Sequence, residues 1–233
     1  MIKIPNNYKN IYPCINTNGS EARIYANYDK NEAYKIYRRK FNYDEEKLNE
    51  LQKISNPNCI IPQDILYKED NSTAYIGYSM KYQQGKSLSS IQDIDVDLLI
   101  SKYPDIINCL EEITSKRFLI LDSNGNNIMF YDTYKIIDTW AFHKIKNQPQ
   151  KSILKKNIEN TNSILLSGLI DIFYKDTINQ YLKSTNSKYI DLFNSLNKSS
   201  KTYISDIFSI LVSETKETDL KKIKTKIIKT SEF

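Results

Sequence analysis

The chain contains 233 residues, of which 40% are hydrophobic and 12% aromatic, and its formal net charge is +5. This hydrophobic content supports a buried core, and five glycines and six prolines are too few for a collagen-like or low-complexity chain. No stretch reaches the roughly 18 apolar residues that a membrane-spanning helix needs, so we expect no membrane span.

The first ninety residues are predicted to be rich in β-strands with one helix. Ala22–Tyr28 and Glu32–Arg38 carry aromatic and β-branched residues on either side of a turn sequence, which predicts a β-hairpin. Asp44–Ile54 begins with acidic residues and has leucines at helical spacing, which predicts a helix. Two further strands are expected near Asp64–Tyr67 and Ala74–Tyr82.

The pattern after residue 90 is mainly helical. Asp97–Phe118 has helical periodicity, with Pro104 predicted to be a kink or a boundary. Two brief strands are expected at Ile128–Tyr131 and Lys135–Asp138. The remaining segments with a helical pattern are Ile153–Ile172, Ile178–Leu182, Tyr189–Leu196, Tyr203–Leu211 and the C-terminal tail. We therefore predict an α+β protein of two lobes, with a β-rich lobe over residues 1–83 and a mainly helical lobe over residues 84–233.

Neither the cysteines nor the basic tail indicates a functional site. Cys14, Cys59 and Cys109 are far apart and form no CxxC pair, which indicates neither a disulfide framework nor a zinc site and fits a reducing cytoplasm. The tail Lys221–Lys229 contains no acidic residue and is typical of an amphipathic helix with its isoleucines turned inward. Binding of nucleic acid or of an anionic membrane surface is the alternative interpretation, and we consider nucleic acid an unlikely partner.

Three polar residues stand out because they interrupt an apolar sequence. Asp122 is followed five residues later by Asn127, and Asp138 ends the second of the two brief strands. A surface turn explains the amides and the glycine between them. It does not explain an acidic residue at the end of the apolar strand sequence KIID, where an unpaired carboxylate is costly.

Six short motifs occur in an order that resembles the protein-kinase-like superfamily, particularly its short bacterial members. The resemblance covers roughly residues 15–142. The motifs, in chain order, are NGSEARIY (Asn18–Tyr25), AYK (Ala33–Lys35), the acidic helix, MKYQQG (Met80–Gly85), Asp122 with Asn127, and IID (Ile136–Asp138).

The resemblance implies a phosphotransferase that uses ATP and Mg²⁺. Lys35 would neutralise the α- and β-phosphates, and Asp122 would accept a hydrogen bond from the attacking hydroxyl. Asn127 and Asp138 would be the Mg²⁺ ligands, since this ion prefers oxygen donors. An acidic residue of the helix would hold Lys35 in place.

We take that helix acid to be Glu46. Glu50 fits if the helix is one turn shorter, and counting back from Pro57 places the expected position on Lys47.

The same resemblance implies a nucleotide pocket. Gly19 is the one glycine of the phosphate-covering turn. Ile24, Ala33 and Met129 would sandwich the adenine, Ile137 would pack beneath the cleft, and Met80 would guard the back. The base edge would be bound by the backbone of Lys81, Tyr82 and Gln83.

The chain also departs from the family pattern. Ile120–Leu121 replaces the His-Arg pair before the catalytic aspartate, and Thr139–Trp140 replaces the Phe-Gly pair after the metal-binding one. Asn124 stands where many Ser/Thr kinases have lysine. We favour a Ser/Thr hydroxyl on an unidentified protein as the acceptor, with a small-molecule hydroxyl left open. The alternative is a pseudokinase that serves as a nucleotide-binding or scaffold module.

Overall fold

The computed structural model describes residues 1–16, 21–91, 93–122, 125–170 and 204–227. It has the mixed α+β composition that the sequence predicts. The chain divides into two compact units. The first unit consists of Met1–Gln84 together with Asp138–Trp140, and the second consists of Gly85–Ile137 and the described residues from Ala141 onward. The predicted helices at Ile178–Leu182 and Tyr189–Leu196 lie outside the described residues.

The described part of the first unit forms a six-stranded sheet in the order β1-β5-β6-β4-β3-β2. Neighbouring strands are antiparallel, except that β1 runs parallel to β5. The strands are β1 (Ile2–Ile4), β2 (Cys14–Asn16), β3 (Ala22–Asn27), β4 (Glu32–Tyr37), β5 (Pro62–Lys68) and β6 (Asn71–Lys81).

The predicted hairpin and the two predicted later strands are confirmed as β3–β4 and β5–β6. The turn between β3 and β4 places Asn31 at a φ of 55°, a left-handed conformation that asparagine tolerates better than most residues. The strands β1 and β2 and the short helix α1 (Tyr8–Ile11) were not predicted. Elements of three or four residues are too short to show a periodic pattern.

The N-terminal segment covers one face of this sheet. The core of that face consists of Ile4, Tyr25, Tyr34, Ile36 and Leu66, all buried. Tyr8 and Tyr12 pack against it, each with its ring centroid 5.1 Å from a core tyrosine in an edge-to-face arrangement. These contacts leave the opposite face of β3, β4 and β6 to carry the candidate site.

The single helix predicted for the first lobe corresponds to α2 (Glu45–Leu51). Asp44 caps it by accepting a hydrogen bond from the backbone N–H of Lys47 at 2.9 Å. Leu48 and Leu51 are its buried residues. The helix ends three residues before the predicted Ile54, because the chain turns after Gln52 and still buries Ile54 from that turn.

The described helices of the second unit are α3 (Val96–Ser115), α4 (Gln150–Ile170), α5 (Ile204–Thr215) and α6 (Leu220–Ile227). Five short strands accompany them: β7 (Lys86–Ser87), β8 (Phe118–Leu119), β9 (Ile128–Phe130), β10 (Tyr134–Ile136) and β11 (His143–Lys144). Pro104 lies inside α3 and is not a boundary. A continuous row of buried side chains on α3 packs it on both sides of the proline, which offsets the lost backbone hydrogen bond.

The basic tail forms the predicted amphipathic helix α6. Its Ile223 and Ile227 are fully buried, and Lys226 donates to the carboxylate of Glu217 at 2.7 Å. This contact holds the pKa of Glu217 below its ordinary value. Ile228 lies outside the described residues. Among the helices that the structure describes, none is long and apolar enough to cross a membrane.

Candidate functional site

One face of the first sheet brings together four of the predicted site residues. Ile24 on β3 lies directly opposite Lys35 on β4, and Lys35 lies opposite Tyr78 on β6. Ala33, two residues before Lys35, lies opposite Met80. Directly paired residues of an antiparallel sheet point to the same face, as do residues two apart on one strand. The register therefore assembles Ile24, Ala33, Lys35 and Met80 on one surface.

Lys35 is a buried cation, only 8% exposed. Its Nζ donates a hydrogen bond to Oδ1 of Asp138 and forms an ion pair with it. A buried ammonium group is strongly unfavourable without a partner, and Asp138 supplies the compensating charge. The sequence predicted that these two side chains converge on one nucleotide, and the structure places them in direct contact although 103 positions separate them.

Asp138 has an unusual backbone conformation. Its φ is 60°, in the left-handed region where a residue other than glycine costs roughly 1–3 kcal/mol and persists only when its surroundings enforce it. Two contacts do so here. The carboxylate is bound by Lys35, and the hydroxyl of the next residue, Thr139, donates to the carbonyl of Ile60 at 2.9 Å in a buried setting.

The hairpin of β9 and β10 places Asn127 next to the strand that leads to Asp138. Asn127 ends a short 3-10 turn before β9, and its carbonyl accepts a hydrogen bond from the backbone N–H of Ile137 at 2.9 Å. Asp138 is the next residue in the chain. Met129 lies opposite Lys135 on the same hairpin. Met129 and Ile137 are both half-buried in the second unit.

The described acidic residues form no site in which protein side chains alone would hold a metal ion. Within the described ranges, no group of three or more His, Cys, Asp or Glu side chains is arranged to hold a metal ion. Magnesium bound together with a nucleotide needs only one or two protein ligands, since phosphates and water complete its octahedron. A single carboxylate, such as that of Asp138, is the kind of oxygen donor that Mg²⁺ prefers in such a setting.

Asp122 is exposed and follows a backbone segment that is hydrogen-bonded to α4 within the second unit. Asn157, a fully buried residue of α4, makes three hydrogen bonds there. Its Oδ1 accepts from the backbone N–H of Ile120 at 2.9 Å, and its Nδ2 donates to the carbonyl of Phe118 at 2.9 Å and to Thr114 Oγ1 at 3.0 Å.

A second asparagine reinforces this arrangement. Asn160, one turn after Asn157, donates from Nδ2 to the carbonyl of Ile120. The two amides hold the backbone two residues before Asp122. Sequence reasoning missed both. The available signal was Asn157 on the apolar stripe of α4, four residues after the buried Ile153.

The predicted partner of Lys35 on the helix was wrong. Glu46 is exposed, and Lys35 pairs with Asp138 instead. Helix phase explains the difference, because residues two apart on a helix point to nearly opposite sides and Leu48 faces the interior.

The alternative acid, Glu50, forms an ion pair with Lys53. Lys47 occupies the inward position, with its Nζ 5.5 Å from the ring centroid of Trp140. Partial burial lowers the pKa of Lys47.

One backbone N–H group of the predicted base-edge segment, just after β6, already has a hydrogen-bond partner within the protein. The N–H of Tyr82 donates to the carbonyl of Asn31 at 3.0 Å, and the prediction that the backbone of Lys81, Tyr82 and Gln83 binds the base edge stays a prediction. Lys81 lies opposite Glu32 in the ladder, and Gln83 is half-buried beyond it. Gly19 lies outside the described residues.

An aromatic cluster adjoins the ion pair, and sequence reasoning did not find it. We use this name for Tyr37, Phe41, Tyr78 and Trp140. The Tyr37 and Phe41 rings stack with centroids 4.9 Å apart, Phe41 and Trp140 are 5.0 Å apart, and Tyr78 and Trp140 are 5.8 Å apart. Burial, followed by the nearby charge of Asp138, raises the pKa of both Tyr37 and Tyr78.

No protein-family model matches the chain, and no curated protein matches it significantly.

Proposed function

We propose that the chain is an ATP- and Mg²⁺-dependent phosphotransferase of the protein-kinase-like type. The observation that carries the proposal is the contact between buried Lys35 and Asp138 on the sheet face that also holds Ile24, Ala33 and Met80. A cation and a metal-binding carboxylate beside an apolar surface are what a nucleoside triphosphate needs. Its phosphates require charge compensation, and its base requires an apolar platform.

Each polar residue has one role in the proposal. Lys35 compensates the charge of the α- and β-phosphates. Asp138 and Asn127 would hold Mg²⁺, which when bound neutralises phosphate charge. Asp122 accepts the hydrogen bond of the acceptor hydroxyl, whose oxygen attacks the γ-phosphorus while the bond to the leaving ADP oxygen breaks.

The order of elements supports the proposed fold, with a β-rich lobe over 1–83 and a helical lobe over 84–233. The hairpin β3–β4 carries Lys35 on its second strand, α2 follows, and β5–β6 completes the sheet. The additional elements β1 and α1 precede this set and cover the sheet's other face.

The proposed acceptor is a Ser/Thr hydroxyl on a protein, with a small-molecule hydroxyl as the other option. A nucleic-acid role has less support, because the basic tail buries Ile223 and Ile227 and pairs Lys226 with Glu217. The acceptor can be found by incubating the purified chain and γ-labelled ATP with cell extract of the source organism and identifying the labelled product.

Asp122→Asn tests the catalytic role, with Asp132→Asn as a matched control because Asp132 is an exposed acid of the β9–β10 turn. We expect phosphoryl transfer to fall by about 10²–10⁴-fold in Asp122→Asn, the usual contribution of a general base, and to be unchanged in the control. Equal transfer by Asp122→Asn and the wild type would remove Asp122 from the mechanism.

A pseudokinase is the second candidate, and one observation favours it. Lys35 bonds directly to Asp138, and Thr139 and Trp140 are packed where the family has Phe and a flexible Gly. A chain that binds ATP but transfers no phosphoryl group to any acceptor in the extract, to itself or to water would be assigned to this class.

A further inference from the structure

We propose that Tyr37 and Tyr78 are positioning residues that hold Lys35 by their ring faces, in place of a helix carboxylate. The expected effect of the two rings on nucleotide binding rests on the proposed function. The inference that the rings hold Lys35 in place does not depend on that function.

The two rings flank the Lys35 ammonium group. Its Nζ lies 5.4 Å from the ring centroid of Tyr37 and 5.9 Å from that of Tyr78. Both distances are within the roughly 6 Å range in which an aromatic face attracts a cation. The sheet register fixes this geometry, because Tyr37 follows Lys35 by two residues on β4 and Tyr78 lies directly opposite it on β6.

The rest of the aromatic cluster keeps both rings in place. Phe41 stacks on Tyr37 with an interplanar angle of 27°, and Trp140 packs on Tyr78 at 30°. Trp140 is held in turn, because Lys47 lies over its ring and the neighbouring Thr139 donates a hydrogen bond to the carbonyl of Ile60. The packing of these neighbours therefore keeps the rings of Tyr37 and Tyr78 beside the ammonium group of Lys35.

The rings explain how Lys35 stays in place without the predicted acid. Glu46 faces solvent, and the inward position on α2 is occupied by the cation Lys47. An aromatic face attracts an ammonium group without adding a formal negative charge. Among the described residues, Asp138 is the carboxylate that compensates the charge of Lys35. If Asp138 were to hold a metal ion, the charge of Lys35 would be available to phosphate while the rings still held the position of the lysine.

The test follows the side chain of Lys35 by NMR in full-length protein labelled with ¹³C-lysine, with its Hε signal assigned by its loss in Lys35→Arg. Flanking rings shift this signal upfield. We expect the shift in the wild type, in Tyr37→Phe and Tyr78→Phe, and in Glu46→Gln. We expect its reduction in Tyr37→Leu, which changes a half-exposed side chain and should fold, and in Tyr78→Leu.

The second readout is the Kd for ATP of the same variants. Loss of one ring should weaken binding by about 2- to 30-fold, and the Phe variants should bind like the wild type. A wild-type signal at the ordinary lysine position would overturn the inference. So would a Glu46→Gln variant that reproduces the effects of Tyr37→Leu.

The outcomes also separate this inference from the proposed function. If the ring shift is present, is reduced in Tyr37→Leu and is retained in Tyr37→Phe, but the wild type binds no ATP, the positioning role stands and the proposed function fails. If the wild type binds ATP and the ring shift falls in Tyr37→Leu without any change in Kd, the positioning role is wrong.

Discussion

Asn157 offers the sharpest test of how the segment before Asp122 is held. Asn157→Ala removes a fully buried amide that accepts from the Ile120 N–H and donates to the Phe118 carbonyl and to Thr114. The two backbone groups are left without this partner, and each unsatisfied group costs about 1–3 kcal/mol. The expected loss in the free energy of unfolding is therefore about 2–6 kcal/mol.

The assay is urea unfolding, with stability taken from the transition midpoint at unchanged m-value. Lys156→Ala is the matched control, since Lys156 is the exposed neighbour on the same helix and should change stability by less than about 0.5 kcal/mol. Thr114→Val removes only one of the three partners and should cost less than Asn157→Ala. The reasoning is refuted if Asn157→Ala is no more destabilising than Lys156→Ala.

Three other substitutions probe the sheet and its ion pair. Asp138→Ala leaves the buried ammonium of Lys35 without its carboxylate, and we expect a loss of about 1–3 kcal/mol in the free energy of unfolding. Asp138→Asn should avoid only part of this loss. An unchanged unfolding midpoint for Asp138→Ala would contradict the pairing. Gly77→Ala places a Cβ 1.9 Å from the carbonyl oxygen of Lys35, which the sheet cannot accept without separating β4 from β6. We therefore expect the free energy of unfolding to fall by more than about 3 kcal/mol in the same assay. Wild-type stability of Gly77→Ala would show that this contact is wrong. Burial raises the pKa of Tyr34 to about 12 from 10.0. The contribution of the neutral Tyr34 hydroxyl to folding stability is therefore complete below pH 10 and is lost as the pH rises toward 12. In urea titrations across that window, Tyr34→Phe should lose less stability than the wild type, and an identical alkaline loss in both proteins would refute this.

The elements predicted correctly are those whose signals are local. Turn residues between two β-rich runs gave the β3–β4 hairpin, and Asp44 before a leucine-spaced run gave α2. The resemblance grouped Ile24, Ala33, Lys35 and Met80, which the sheet register then placed on one face. The two confirmed elements need only alternation and helical spacing, and the roles given to the four residues stay predictions.

The contacts that were missed depend on packing between distant segments. The choice of Glu46 failed because helix phase, fixed by the burial of Leu48 and Leu51, turns it outward. The burial of Asn157 beneath the Ile120 backbone depends on where α4 packs, which spacing alone does not determine. Trp140 reaches its aromatic neighbours only because the segment after β10 joins the first unit.

The most direct test of the central claim is the Kd for ATP measured with Mg²⁺ and with EDTA. In the wild type and in Asp132→Asn, we expect Mg²⁺ to tighten binding. In Asp138→Asn that gain should be lost, and Lys35→Met should weaken binding under both conditions. Failure of ATP to bind the wild type, or an equal effect of Mg²⁺ on the wild type and on Asp138→Asn, would contradict the account.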